Sequence, residues 1–495
     1  MPKLEQKQRH NHMQNTTADQ IRRIAEDQRE FFKSGATLDV RFREEMLRRL
    51  LSAMERWEKR LADALWEDMH KSYEEAYLTE FSIIKGEIKT HLKNVSKWAR
   101  MERTSTPLKL FPSRSCIVKE PLGCALIIAP WNYPVQLLIN PLIGAISAGC
   151  TAVLKPSPYV PATSAVLANM IAETFEERYI TAIQGHRDVN SALLQERWDM
   201  IFFTGSPALG RTVMEAASRN LTPVVLELGG KSPCIINRTA DIKLAAKRIA
   251  WGKTLNSGQT CIAPDYLIIH KDIKEQFVKE FAAAIKELHG DNIFKSEHFV
   301  HIINRKAFER LSSYISQGEI LYGGRTDSTS LCIEPTILDA VSPDAPVLQE
   351  EIFGPVFPIV TFSDAASAEA VSAERSSGRN ENTVHKGSFV ENVIEYLQRK
   401  EKPLALYYFG EENEGWEAIR RTSSGGGCIN DVIMHIANER LPFGGVGNSG
   451  MGSYHNRRSF ECFTHTRSIL VTPTWIDLPF RYMPYKLFNL IKKIV

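Results

Sequence analysis

Three side chains of this 495-residue chain have the types and settings that acyl chemistry at a cysteine requires. Cys261 closes the small polar turn Asn256-Ser257-Gly258-Gln259-Thr260-Cys261, which leaves a thiol accessible, whereas Cys124, Cys150 and Cys234 lie among apolar or small residues as packed cysteines do. Such a nucleophile needs a general base and a donor for the oxyanion it creates. Glu227 ends the apolar run Pro223-Val224-Val225-Leu226-Glu227, where a carboxylate without a partner has its pKa raised toward neutrality, as a base requires. Asn132, between Pro130 and Pro134, carries a side-chain N–H able to donate to a developing oxyanion. Taken singly, each has a plainer reading: a structural cysteine, a carboxylate paired with a lysine or arginine, and a turn asparagine.

A fourth feature suits phosphate. The stretch Phe203-Thr204-Gly205-Ser206-Pro207-Ala208-Leu209-Gly210 follows a strand-like run and opens a helix. Free amides at a helix N-terminus and the Ser206 hydroxyl can hold a pyrophosphate, and Gly205 and Gly210 permit close backbone approach. A plain strand-to-helix turn is the alternative. Two other glycine patterns read as decoys. Gly445, Gly447 and Gly450 satisfy G-x-G-x-x-G but follow Leu441-Pro442-Phe443 with no βαβ unit around them. Gly229-Gly230-Lys231-Ser232 looks like the tail of a P-loop, yet Val225 stands where its first glycine belongs. The eight cysteines and 13 histidines show no metal-ligand spacing, so no metal site is expected.

The elements that position these residues follow from periodicity. Between Thr17 and Trp98 the period is helical, with Leu47, Leu50, Leu51, Met54, Trp57, Leu61 and Leu65 at three- and four-residue steps; Thr17 and Gly35 read as the cap and stop of the preceding helix. Strand-length apolar runs then alternate with helix-length segments: Cys124 to Ala129, Thr151 to Leu154, Ile180 to Ile183, Met200 to Phe203 and Val224 to Leu228, separated by segments such as Ser164 to Phe175 and Gly210 to Ser218. This predicts an α/β fold with a parallel sheet covered on both faces and ligands outside the carboxyl ends of its strands. A second alternating region runs from Lys253 to about Phe409. The segment Ala365 to Phe389 has no Leu, Ile, Trp or Tyr and reads as a mobile surface insertion.

Composition narrows the function. With 61 Lys plus Arg against 58 Asp plus Glu, the net charge of +3 is spread without a phosphate-tracking stripe, which argues against a nucleic-acid partner. The N-terminus lacks the apolar core of a signal peptide, and the cysteines form no C-x-x-C pair, so a reducing, cytoplasmic setting is expected. The apolar stretch Leu122 to Leu154 is broken by Pro130, Pro134, Pro141 and Gly144, well short of the ~18 apolar residues of a membrane span. The tail from Pro484 puts Leu487, Phe488, Ile491 and Val495 on one helical face beside Lys486, Lys492 and Lys493; it suits either a dimer contact or the surface of a membrane.

Together these pieces resemble the aldehyde dehydrogenase superfamily, most closely its class 3 branch. The resemblance rests on PWNYP (Pro130 to Pro134), VLKPS (Val153 to Ser157), FFTGS (Phe202 to Ser206), LELGGKSP (Leu226 to Pro233), NSGQTC (Asn256 to Cys261), PDY (Pro264 to Tyr266), EEIFGPV (Glu350 to Val356), KPLALY (Lys402 to Tyr407) and LPFGGVGNSGMGSYH (Leu441 to His455), in family order. It implies oxidation of an aldehyde to the acid with NAD or NADP, through a Cys261 thiohemiacetal and thioester that Glu227 hydrolyses, with the Asn132 side chain and the Cys261 N–H on the oxyanion. It further implies that Lys155 meets the adenosine ribose, Gly205 and Ser206 the pyrophosphate, and Glu351 and Phe353 the nicotinamide ribose and ring.

Expected domains are a Rossmann-type NAD(P)-binding unit (1–102 and 122–229), a catalytic unit (230–448), bridging segments that relatives use for dimerisation (103–121 and 462–478) and a tail (479–495). Medium- or long-chain aliphatic or aromatic aldehydes are the implied substrates. A CoA-acylating enzyme and a catalytically silent protein on the same fold are the alternatives; Glu227 argues against the first, and the joint presence of Cys261, Glu227 and Asn132 against the second. Pro158 stands where the family often has a glutamate after KPS, which removes a carboxylate that would repel a 2′-phosphate.

Overall fold

The period-3.6 patterning of the N-terminal region builds long helices. In the computed structural model, which describes residues 15–364, 388–477, 481–485, 488 and 492, Thr17 caps the helix Ala18–Lys33 through a reciprocal capping box with Gln20. Gly35 takes a left-handed φ of 76° just beyond the helix end. The helix Val40–Met69 buries Leu47, Leu50, Met54, Trp57, Leu61 and Leu65 on one face. From Tyr73 to Trp98 the chain is helical again, with a single π turn at Tyr77–Phe81.

Period-2 and fully apolar runs become two sheets. In the six-stranded sheet the order is Gly450–Met451, Val224–Leu228, Met200–Gly205, Cys124–Ile128, Thr151–Lys155, Ile180–Ala182. All neighbours are parallel except Gly450–Met451, which runs antiparallel to Val224–Leu228. The stretch from Leu122 to Leu154 is a buried strand, helix and strand, with every residue of the helix Gln136–Ala148 buried. The seven-stranded sheet has the order Glu319–Tyr322, Thr336–Asp339, Val356–Phe362, Tyr266–His270, Pro233–Ile236, Ala405–Phe409, Gly426–Ile429, parallel but for its first strand. Near-continuous apolar strands of this kind are what a parallel sheet buried on both faces demands.

A third, three-stranded antiparallel sheet joins Glu102–Thr104, Arg114–Pro121 and Thr464–Val471. Among the described residues no helix is long and apolar enough to cross a membrane. Residues 365–387, most of the stretch read as an insertion, lie outside the described residues, as do Lys486, Leu487, Ile491, Lys493 and Val495 of the tail. The last residue of that stretch differs from the expectation. Phe389 is 1% exposed and begins the helix Phe389–Gln398, capped by Ser388, because its ring packs beside His270.

The link between the two large sheets sets the position of the site. Val224–Leu228 passes through only four residues, 229–232, into Pro233–Ile236, so the carboxyl edge of the first sheet faces the amino edge of the second. Asn132, Lys155, Gly205 and Glu227 come from the former edge. Cys261 and Glu351 precede the strands Tyr266–His270 and Val356–Phe362 at the latter.

Candidate active site

Cys261 ends a turn held in an uncommon conformation. Asn256 (φ 51°, ψ 29°) and Ser257 (φ 53°, ψ 33°) are consecutive left-handed residues, both fully buried. Each such residue costs on the order of 1–3 kcal/mol, so the turn persists only if its surroundings hold it. The Asn256 side chain donates to the carbonyls of Asn132 and Gln259, both at 3.0 Å. The Gln259 amide donates to Asn256 O and His301 O and accepts from Ile303 N. Ser257 Oγ donates to Val300 O, and the Tyr407 hydroxyl fixes Ile262 O at 2.5 Å. Gly258 (φ 71°) has no room for a side chain, since a Cβ would lie 2.5 Å from Gly354 O.

The thiol at the end of this turn is half-buried and far from ionised. Burial pushes the Cys261 thiol up to about 12, and the carboxyl groups of Glu351 and Glu227 add to the shift. The resting group is therefore a neutral thiol that needs a base. At pH well below that value the thiolate fraction rises tenfold per unit of pH, so alkylation of Cys261 in the cofactor-free protein is expected to accelerate about tenfold from pH 7 to 8 and again to 9. Iodoacetamide labelling followed by peptide mass spectrometry measures this; a rate flat above pH 7 would contradict it.

Glu227 is 3% exposed, and neither carboxyl oxygen has a hydrogen-bond partner among the described residues. Burial alone drives its pKa well above the ordinary carboxyl value. The paired-carboxylate alternative thus finds no cation. The Asn132 side chain is 2% exposed; its amide donates one N–H to Gln259 O at 3.0 Å, and its carbonyl oxygen has no partner among the described residues. A primary amide carries a second N–H, which remains for a ligand.

The residues assigned to the dinucleotide gather on the other side. Lys155 is 1% exposed, donates to Pro156 O at 2.8 Å and has its pKa lowered by burial to about 8. Ser206 caps the helix Pro207–Ser218, its hydroxyl accepting from Leu209 N at 3.4 Å. Gly210 donates its N–H to Ser206 O, and a Cβ there would lie 2.7 Å from Leu228, so it sets how closely this helix packs on the sheet. Glu351 accepts from Gly230 N at 3.1 Å, and burial, with Asp265 nearby, lifts its carboxyl to about 8. A Cβ on Gly229 would fall 2.2 Å from Glu351 Oε2. Phe353 (φ 53°) meets Trp131 edge to face at 5.4 Å. A buried ammonium and a helix N-terminus at the carboxyl edge of the six-stranded sheet, with a half-buried carboxyl group held by Gly230, fit the ribose and phosphate groups of a dinucleotide.

On the opposite side of Cys261 lies a cavity of about 710 Å³, walled by Glu75, Leu78, Tyr133, Leu137, Trp251, Leu255, Ile262, Ile433, Met434, Phe443 and Tyr454 among others. Small-molecule sites span roughly 300–1,000 Å³.

Comparison with known proteins bears on this arrangement. The profile of the aldehyde dehydrogenase family matches residues 3–379. The 4,4'-diaponeurosporen-aldehyde dehydrogenase of Staphylococcus aureus (strain NCTC 8325 / PS 47) is 42% identical over 463 residues, 93% of this chain and 95% of the relative. The chain belongs to the aldehyde dehydrogenase family. The dimeric NADP-preferring aldehyde dehydrogenase of Canis lupus familiaris is 40% identical across 94% of this chain and 98% of its own. A solved Staphylococcus aureus structure, described as the substrate-bound state of AldH, superposes with a TM-score of 0.89 at 41% identity, covering 96% of this chain and 99% of that one. This protein is an aldehyde dehydrogenase of the class 3 branch that oxidises aldehydes with NAD or NADP.

Several residues that shape the site of this aldehyde dehydrogenase have no role assigned by the motifs. Lys71 and Glu80 form an ion pair of 2.9 Å with both side chains fully buried. Lys71 also donates to Asn132 O, and Glu80 accepts from the N–H groups of Val135 and Gln136, so the pair orients the turn that presents Asn132. Arg310 donates to the carbonyls of Glu351 and Ile352, and Lys231 to those of Val347 and Glu350, which fixes the segment bearing Glu351. The glycine pattern at 445–450, read as a decoy, has a place in the sheet. It brings Gly450 into register with Glu227, closing the sheet edge beside the buried carboxyl.

Proposed function

We propose that Cys261 is the nucleophile, Glu227 the general base, and the Asn132 side chain with the Cys261 N–H the oxyanion donors, and that the substrates are medium- or long-chain aliphatic or aromatic aldehydes. The observation that carries this reading is the apolar cavity ending on Cys261, with an unpartnered buried glutamate in electrostatic range of the same thiol. The thiol, relieved of its proton, adds to the carbonyl carbon. Negative charge gathers on the former carbonyl oxygen, where fixed donors stabilise it by roughly 2.7–4 kcal/mol apiece in comparable enzymes. Lys155, Gly205, Ser206, Glu351 and Phe353 would hold the dinucleotide, Gly210 letting its helix sit close. NAD(P), when bound, accepts the hydride that leaves as the thiohemiacetal becomes a thioester. Glu227 then takes a proton from water, and the hydroxide equivalent releases the acid and restores the thiol.

The domain division into 1–102 with 122–229, 230–448, the bridging segments 103–121 and 462–478, and the tail belongs to this reading. So do a homodimer built on the bridging segments and a cytoplasmic setting. The strands Glu102–Thr104 and Thr464–Val471 support the dimer because most of their residues are exposed.

An n-alkanal series tests the substrate class. Each added methylene buried in the cavity contributes about 0.8 kcal/mol, so kcat/KM is expected to climb about fourfold per carbon until the cavity is filled. A flat series, or highest activity with a carboxylate-bearing aldehyde, would contradict it. Cofactor choice follows from Pro158. With no glutamate there to repel a 2′-phosphate, kcat/KM values for NAD and NADP are expected to lie within a thousandfold of each other, and a larger preference for NAD would overturn that.

A further inference from the structure

The turn that carries Cys261 is tethered from an unexpected direction. Glu75, on the N-terminal helical segment, reaches 181 residues along the sequence to accept the backbone N–H of Asn256 at 2.9 Å. Asn256 is the first of the two left-handed residues, and its side chain in turn grips Asn132 O. One carboxylate therefore acts on the residue that joins the nucleophile turn to the oxyanion turn. Glu75 also stands on the wall of the cavity that opens on Cys261.

We propose that Glu75 is a positioning residue for thioester formation: by holding the Asn256 N–H it keeps Cys261 and Asn132 in register with an aldehyde in the cavity. The proposal rests on Cys261 being the nucleophile. Without an acceptor at this point Asn256 would keep a buried, unpaired N–H, and the turn would relax toward ordinary backbone angles. Displacements of about 1 Å at a reacting centre cost up to about 100-fold in rate. Charge refines the effect. Burial pushes the Glu75 carboxyl up to about 7; Lys71 and the Asn256 N–H oppose the shift and Glu80 adds to it, while the Tyr133 hydroxyl, held by Thr260, faces the same space. Above that pH the tether is a charge-assisted hydrogen bond, and it weakens as the carboxyl takes a proton.

The test is the first-turnover burst of NADH, which reports thioester formation, in Glu75→Leu, Glu75→Gln and Cys261→Ala. Leucine removes the acceptor at similar volume, and its burst rate is expected to fall about 30- to 100-fold with KM for NAD changed less than twofold. Glutamine keeps a carbonyl oxygen for the Asn256 N–H; its burst is expected within about fivefold of wild type at pH 8 and to fall less steeply than wild type between pH 8 and 6, because only the component from Cys261 ionisation remains. A leucine variant with a wild-type burst, a glutamine variant as slow as leucine, or a glutamine pH profile as steep as that of wild type would each overturn the proposal. Should leucine fail to fold, the glutamine pH profile decides by itself. A burst surviving in Cys261→Ala would overturn the nucleophile assignment; a burst lost there but untouched by Glu75→Leu would overturn only the role of Glu75.

Discussion

Cys261→Ala is expected to reduce NADH formation by roughly five to six orders of magnitude, to the background of the assay, as removal of a nucleophile does elsewhere. No other cysteine can stand in. Cys116, Cys124, Cys150, Cys234 and Cys332 are buried, and Cys428 and Cys462 do not line the cavity; Cys261 is the only one of the eight that does. Cys261→Ser is expected to be nearly as inactive, because a hydroxyl is a far weaker acid than a thiol and the same burial opposes its ionisation. The turn is secured by Asn256, Ser257 and Gln259, not by the thiol, so both variants should keep the wild-type melting temperature and the thermal shift that NAD produces. Residual turnover above about 1% in Cys261→Ala would remove Cys261 from the mechanism.

Glu227→Gln separates the two halves of the reaction. The amide has the volume of the carboxyl but cannot accept a proton, so hydrolysis of the thioester is expected to slow by about 10²- to 10⁴-fold, the usual contribution of a general base. One equivalent of NADH per subunit should still appear in the first turnover, and the acyl group should be found on Cys261 by mass spectrometry. Loss of that burst together with steady turnover would reassign Glu227 to deprotonating the thiol. The pH dependence has a definite sign. A carboxyl whose pKa burial has raised takes up its proton at a higher pH than an ordinary glutamate and serves as a base only when ionised, so in wild type a hydrolysis-limited kcat should rise with pH through the raised pKa and fall as acid neutralises it. In Glu227→Gln this rise should be absent. Wild type that turns over only when CoA is supplied would instead support the CoA-acylating alternative.

Much of the framework is legible from periodicity, because burial of one helical face or of both faces of a parallel strand leaves a repeating mark. The helix capped by Thr17, the helix Val40–Met69 and the strand Val224–Leu228 are of this kind. The carboxyl-edge rule for parallel sheets locates Asn132, Lys155, Gly205 and Glu227. It does not locate Cys261 and Glu351, which sit at amino edges; only the short link 229–232 turns the two sheets so that opposite edges meet. Phe389 is a smaller case. The composition of Ala365 to Phe389 reads as surface, but one aromatic at its end is enough to anchor a helix in the core.

What the amino-acid order by itself determined is the set of candidate reactive groups and the family of reaction: a cysteine in a polar turn, a glutamate in an apolar strand and an asparagine between prolines, each recognisable because local context sets side-chain chemistry. What only the tertiary structure decided is their state and their support. The thiol is driven to about 12 by burial and by the carboxyl groups of Glu351 and Glu227, and Glu227 is left without a hydrogen-bond partner among the described residues. Lys71, Glu75 and Glu80 hold the two candidate turns from the segment 71–80, about fifty residues before the nearer of them. Electrostatics and hydrogen bonding depend on distance in space, and the chain's local pattern records burial but not which far residue will arrive.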